Sequence, residues 1–188
     1  GAFMSMLGIS SLNKLVSIHD FLPVHKLMEF LHIEIRKTLR QASGEKKDGM
    51  DIGLCIIDKE KNTVEFAGAK IPLCYFQNKE LFFVKGNKTP IGGIQREQKR
   101  TFDKHVVDLS QSTTFYFFSD GYIDQFGGEE NRKFSSRRLK NLLHAIHELP
   151  MDEQKTILER TITDWQGTTE KQIDDIAVLG VRIKPLNS

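Results

Sequence analysis

The sequence predicts an α+β fold, with two helices, a series of antiparallel strands, two further helices and a closing strand. Three observations point to it. Apolar residues recur at helical spacing from Val24 to Leu39, give way to short β-type runs after residue 50, and return to helical spacing only between residues 135 and 165. Strands are thus grouped between helices rather than alternating with them, which argues against a parallel βαβ sheet.

Residues 3–16 (FMSMLGISSLNKLV) carry apolar side chains too densely for a one-faced helix and predict one buried on more than one side. From Pro23 the run PVHKLMEFLHIEIRKTLRQ places Val24, Leu27, Met28, Leu31, Ile35 and Leu39 on one helical face, with proline near its start. The polar loop ASGEKKDG follows. MDIGLCIID, TVEFAGA, LCYFQ and LFFVK then read as strands, separated by turn-forming DKEKN and QNKE, in a meander of antiparallel hairpins. KGNKTPIGG is a loop rich in Gly and Pro, and RTFDKHVVDL and TTFYFFSDG read as another strand pair. Helices over 135–148 and 151–165 precede the final strand, DDIAVLGVRI, which reads as fully buried. With no internal repeat, low-complexity tract or linker, residues 1–188 are expected to form a single domain.

Composition excludes several function classes. A chain of 188 residues can bury a core without staples. Its 27 basic and 25 acidic residues leave a net charge of +2, no broad field for nucleic acid. Two cysteines, Cys55 and Cys74, lie in apolar strand-like runs and read as buried thiols of a reducing compartment. No apolar run approaches the ~18 residues of a membrane span, so no direct membrane contact is expected and the location is read as cytoplasmic. The opening GAFMSMLGISSLNKLV has no initiator Met or polar lead-in and reads as cut from something longer.

Two acidic positions adjoin strongly apolar strands. In FYFFSDGYID the strand delivers Asp120 at its C-terminal end, with Gly121 allowing a tight turn, and in KQIDDIAVLGV the pair Asp174 and Asp175 stands at a strand start. Carboxylates at two such lips meeting across a sheet make a hard, oxygen-rich site that suits Mg²⁺ or Mn²⁺. The plainer alternative is a turn aspartate in SDG and a DD pair that merely opens a strand. A phosphate loop, a zinc frame and a GxSxG nucleophile are all absent, and His144 and His147, at i, i+3 on one helix, read as ordinary helix residues. The cluster RKFSSRRLK, with Arg132, Lys133, Arg137, Arg138 and Lys140, runs into a helix start. There its cations oppose the helix dipole unless something anionic offsets them; otherwise it is a solvated charged face.

Taken in order, GAFMSMLG, DGMDIGLCIID, VEFAGAKIPLCYF, TPIGG, FYFFSDGYIDQFGGEENRKF and QIDDIAVLGVRI resemble the SpoIIE-type branch of the PPM (PP2C-like) bacterial protein Ser/Thr phosphatases, over nearly the whole chain. The resemblance implies an antiparallel β-sandwich flanked by helices (α-β-β-α). It also implies a site for two Mn²⁺ or Mg²⁺ ions that activate a water for in-line attack on phosphorus. Asp120 and Asp174 would be the catalytic metal ligands, with Gly121 and Asp175 in backbone or supporting roles; from the charge pattern at the helix start, Arg132, Lys133, Arg137 and Arg138 are expected near a phosphorylated substrate or an acidic partner. The implied substrate is a phosphoserine or phosphothreonine on a regulatory protein of the anti-sigma-antagonist (STAS) type. Control would come from an upstream sensor or receiver domain, with the parent chain free or tethered to a membrane sensor.

This chain departs from the pattern. The family's GDFYD-like and ADxTGHG-like motifs, each with a further metal-binding aspartate, are not in it, so an N-terminally incomplete domain, weakly active or inactive alone, is expected. Ala177 stands where the family commonly has Thr. The competing expectation is a non-catalytic module of the same fold that binds a phosphoprotein or forms a homodimer through residues 3–16 and 23–41.

Overall fold

The computed structural model describes residues 2–19, 22–41 and 48–185. In chain order the elements are α1 (Ala2–Ile18), α2 (Val24–Thr38), β1 (Gly49–Met50), β2 (Ile52–Asp58), β3 (Thr63–Ala69), β4 (Leu73–Gln77), β5 (Glu80–Val84), β6 (Ile91–Gly92), β7 (His105–Asp108), β8 (Thr113–Phe118), α3 (Asp120–Asp124), β9 (Phe126–Gly127), β10 (Arg132–Lys133), α4 (Ser136–Ile146), α5 (Met151–Gln166) and β11 (Val178–Ile183). They divide into two compact units, one from residues 1–73 with 84–110 and the other from residues 74–83 with 111–188.

In the first unit β2, β3 and β7 form an antiparallel sheet in that order, registered by Ile52↔Ala69 and Phe66↔His105. The stripe foreseen on α2 is the core: Val24, Leu27, Met28, Leu31 and Ile35 are buried with Ala67, Ala69, Ile91 and Phe102. Each such aliphatic side chain contributes roughly 1.5–3 kcal/mol through the water it sheds. Pro23 occupies the N-cap of α2, and Glu65 on β3 accepts from the Val24 amide at 3.1 Å, satisfying one of the helix's first orphan donors. The last turn carries Arg36 and Lys37, favourable at the negative end of the dipole.

The second unit has a four-stranded sheet in the order β11-β8-β4-β5, joined by α4 and α5. Phe76, Tyr116, Phe118 and Tyr122 are buried with Leu139, Leu143, Leu158 and Ile162. Ser135 caps α4 by accepting from the Arg138 amide. Arg182 on β11 holds the other end, donating to the carbonyls of His147 and Leu149 and to the Thr114 hydroxyl.

Four expectations are corrected. The runs read as a strand pair, 100–109 and 113–121, do not pair: β7 joins β3 in the first unit, while β8 lies between β4 and β11 in the second. The apolar run of β8 needs strands on both sides, whereas β7 alternates buried and exposed residues and suits an edge. Nor is the meander continuous. Lys70 takes a positive φ, its amide and the Gly68 carbonyl turn to Asn87, and the next hairpin, β4-β5, belongs to the other sheet. The helix α1 is not buried on several sides: it buries Gly8, Ser11 and Leu15 and leaves Phe3, Met6 and Ile9 62–72% exposed. Finally, β11 is an edge strand with alternating exposure, Leu179 being 59% exposed, rather than a fully buried one.

Candidate metal-binding lip of the second unit

The site residues are brought together by the register of two strands. Because Val178 pairs with Phe118, the segment leaving β8 and the segment entering β11 meet at one end of the sheet. There Ser119 forms the N-cap of α3, so Asp120 opens a short helix rather than the bare turn expected from SDG. The Ser119 hydroxyl donates to the Asp175 carbonyl at 2.8 Å and accepts from the Ala177 amide at 2.9 Å, while the Ser119 amide donates to the Ala177 carbonyl at 3.0 Å. Three bonds therefore tie the SDG segment to the DDIA segment.

Gly121 is required by this approach. A Cβ on it would lie 2.4 Å from the Asp175 carbonyl oxygen and 2.9 Å from its carbon, closer than any side chain tolerates. The Asp174 carboxylate accepts the Asp175 amide through Oδ1 at 2.7 Å, and Gln172 donates to the Asp174 carbonyl at 2.8 Å. Ser119 and Gln172 had no chemical signature of their own. The usable signal for Ser119 was its N-cap position before Asp120 at a strand end.

Asp120, Asp174 and Asp175 are all exposed and form no ion pair among the described residues. Their oxygens suit a hard dication, and the two motifs are adjacent. Yet no group of three potential ligands is present among the described residues, so the donor set fits only part of the shell of six or more oxygens that such an ion takes.

Four of the five cations of the basic cluster are engaged by their own chain, two of them by carboxylates. Arg132 pairs with Glu130 at 2.9 Å, Lys133 with Asp124 at 3.0 Å, and the Arg138 guanidinium lies 4.5 Å from the centre of the Trp165 ring. Lys140 sits 3.6 Å over Phe83. Arg137 is exposed on the first turn of α4 with no ion-pair partner among the described residues. Since Lys133 grips Asp124, the last residue of α3, the cluster is fastened to the helix that Asp120 begins.

The remaining candidates are structural. His147 stacks on Phe76 with centroids 4.2 Å apart and bonds through Nδ1 to the His144 carbonyl. Cys74 is buried and Cys55 half-buried, and burial pushes both thiols up to about 12. A groove of about 510 Å³ runs beside α5 and β11, lined by Tyr116, Tyr122, Leu158, Ile176 and Val178, but includes neither Asp120 nor Asp174. No described helix is long and apolar enough to cross a membrane.

Comparison with known proteins places this geometry in a family. No curated protein matches the chain. Among solved structures, the SiaA-PP2C domain of Pseudomonas aeruginosa is similar at 28% identity and a TM-score of 0.84, over 97% of this chain and 70% of that one. The SpoIIE PP2C phosphatase domain of Bacillus subtilis, solved with a fragment of its regulatory domain, shares the fold at 18% identity and a TM-score of 0.71, over 96% of this chain and 50% of that one. So do the RsbU and RsbW domains of Rv1364c from Mycobacterium tuberculosis, at 18% identity and 0.66, over 98% and 49%. The fold is therefore PP2C-like, as the order of motifs implied, in a family whose phosphatases depend on metal. The sequence profile described as Stage II sporulation protein E (SpoIIE) matches residues 1–184, and the chain belongs to the SpoIIE family of PP2C-like phosphatase domains.

Proposed function

We propose that the chain forms, as one domain, most of the catalytic unit of a metal-dependent protein serine/threonine phosphatase in bacterial signalling. Its substrate would be a phosphorylated regulatory protein of the STAS type, and a sensor or receiver domain in the parent protein would control it. The observation that carries this reading is the contact of Gly121 with the Asp174–Asp175 backbone, which joins the two acidic motifs within a chain of this family. Asp120 and Asp174 are the proposed ligands of Mn²⁺ or Mg²⁺. Such an ion pair supplies Lewis-acid activation of water for attack on phosphorus. Asp175 and Gly121 position the first two, and Arg137 is the member of the basic cluster left to face a phosphate.

Two carboxylates offset too little of the repulsion between two dications, so the 188 residues alone are expected to hydrolyse phosphoprotein weakly or not at all. The test is Mn²⁺-dependent hydrolysis of a phosphoserine peptide by the parent protein and by its Asp120→Asn and Asp174→Asn variants. A loss of at least a hundredfold in each is expected. Undiminished turnover in both would overturn the assignment of the site.

The exposed face of α1, with Phe3, Met6, Ile9 and Val16, favours a second reading, in which the same fold serves as a contact or dimerisation module. Metal titration separates the two. A parent protein that binds neither Mn²⁺ nor Mg²⁺ yet holds its partner would be the non-catalytic module.

A further inference from the structure

The segment after β5 buries Ile91 against α2 and pairs β6 with β1, and beyond Ile91 it is held to α2 through polar side chains. His32 Nδ1 accepts from the Gly92 amide at 3.0 Å, and His32 Nε2 meets Gln95 Oε1 at 2.9 Å. Gln41 accepts from the Gly93 amide at 2.9 Å, and Arg36 donates to the Gly93 carbonyl. From below, Arg100 donates to the carbonyls of Pro90, Gly92 and Ile94 at 2.7–2.8 Å. Gly92 has φ +70, and a Cβ there would lie 2.9 Å from Ile35, so the backbone must come this close to α2.

This network admits one protonation state of His32. The Gln95 amide nitrogen donates to the carbonyls of Glu97 and Gln98. Its oxygen therefore faces the ring, and Nε2 carries the proton. Nδ1 must then be bare to receive the Gly92 amide. The ring is 2% exposed, so no water replaces a lost partner. A second proton, on Nδ1, would set two donors against each other 3.0 Å apart.

We propose that His32 is an acid-sensitive latch, holding the Pro90–Gln95 loop against α2 when neutral and releasing it when doubly protonated. Burial, the largest influence, keeps the ring neutral below its ordinary value of 6.5, against the Gln95 hydrogen bond, which favours a proton; of the charged groups, Arg100 and Arg36 oppose a proton and Glu97 favours one. One turn earlier on α2, Glu29 is engaged by Lys26 and Lys99. The released loop has an ordinary histidine, the latched loop a depressed one. The latched form is therefore fully favoured above pH 6.5 and loses up to about tenfold in relative population per pH unit below it.

The experiment is amide hydrogen exchange of the 188-residue chain between pH 7.5 and 5, corrected for intrinsic rates, on wild type and His32→Asn. Asparagine keeps an acceptor near the Nδ1 position but does not titrate. Protection at Gly92 and Gly93 should fall in wild type below pH 6.5 while the β3 amides hold, and should stay flat in His32→Asn. Flat protection in wild type, or the same fall in both proteins, overturns the latch. If the variant does not fold, ¹⁵N spectra of the wild-type ring decide. Protonation of Nδ1 in step with loss of Gly92 protection supports the latch, and protonation with protection intact refutes it.

Discussion

Gly121→Ala tests whether the approach of the two acidic motifs is real. A methyl group there would stand 2.4 Å from the Asp175 carbonyl oxygen, 2.9 Å from the Asp175 carbonyl carbon and 3.4 Å from the Asp174 carbonyl carbon. Ordinary contact begins near the last of these distances, so the DDIA segment must retreat by about 1 Å. The obstructing atoms are backbone, fixed by Ser119 on one side and by the β8–β11 register on the other, and cannot swing away as a long side chain would. Overpacking of this kind costs about 1–3 kcal/mol, which in a chain of this size lowers the melting temperature by roughly 2–12 °C. Gly167→Ala is the control. It has φ +65 and ψ −153 but nothing within 4 Å of the added carbon, so it reports backbone strain alone, about 1–3 kcal/mol in a region that glycine almost alone adopts. Thermal and urea unfolding of both variants give the comparison. A Gly121→Ala protein as stable as wild type would refute the close approach on which the proposed site depends.

Arg182→Met should be among the most damaging substitutions on β11. It strips donors from the Thr114 hydroxyl and from two carbonyls beyond α4, a loss of about 3 kcal/mol read as a lower urea midpoint, with Arg182→Lys recovering part of it. At Glu97, the Arg100 guanidinium holds the carboxyl down at about 2 against an ordinary value of 4.5. Because the folded value is depressed, the pair stabilises fully above pH 4.5, and its contribution is lost as pH falls toward 2. The carboxylate is over a third exposed, so the effect is small and salt-sensitive. The Glu97 carboxyl titration by NMR should show the depressed value, and Glu97→Gln should flatten the acid limb of the melting curve.

What was legible in the sequence is what local patterning encodes. The stripes on α2, α4 and α5 each bury one face against a sheet, and a 3.6-residue period records that directly: Leu139, Leu143 and Ile146 sit on it in α4. Strand partners were less legible, because alternation states which face is buried and not which neighbour supplies the hydrogen bonds. Thus β7 and β8, close in sequence, read as a pair yet belong to different sheets. Apolar density misled twice, at α1 and at β11, since it shows that a segment can be buried without showing what covers it. Asp120 and Asp174 were visible as acids at the lips of apolar strands. Ser119 was not, because its bridge to Asp175 spans 56 positions and exists only in the β8–β11 register.

The distribution of charge in the second unit sharpens what the net charge of +2 conceals. Arg132 and Lys133 are spent on Glu130 and Asp124, and Arg138 lies on Trp165. None of these cations turns to the lip, although Lys133 is joined to α3 itself. Asp120, Asp174 and Asp175 stand on the two segments that meet at one strand end and form no ion pair among the described residues, although they do not cluster as three ligands there. Ser119, Gly121 and Gln172 fix the backbone that carries these carboxylates, and the proposed function requires that a cation from outside the chain reach Asp120 and Asp174 there.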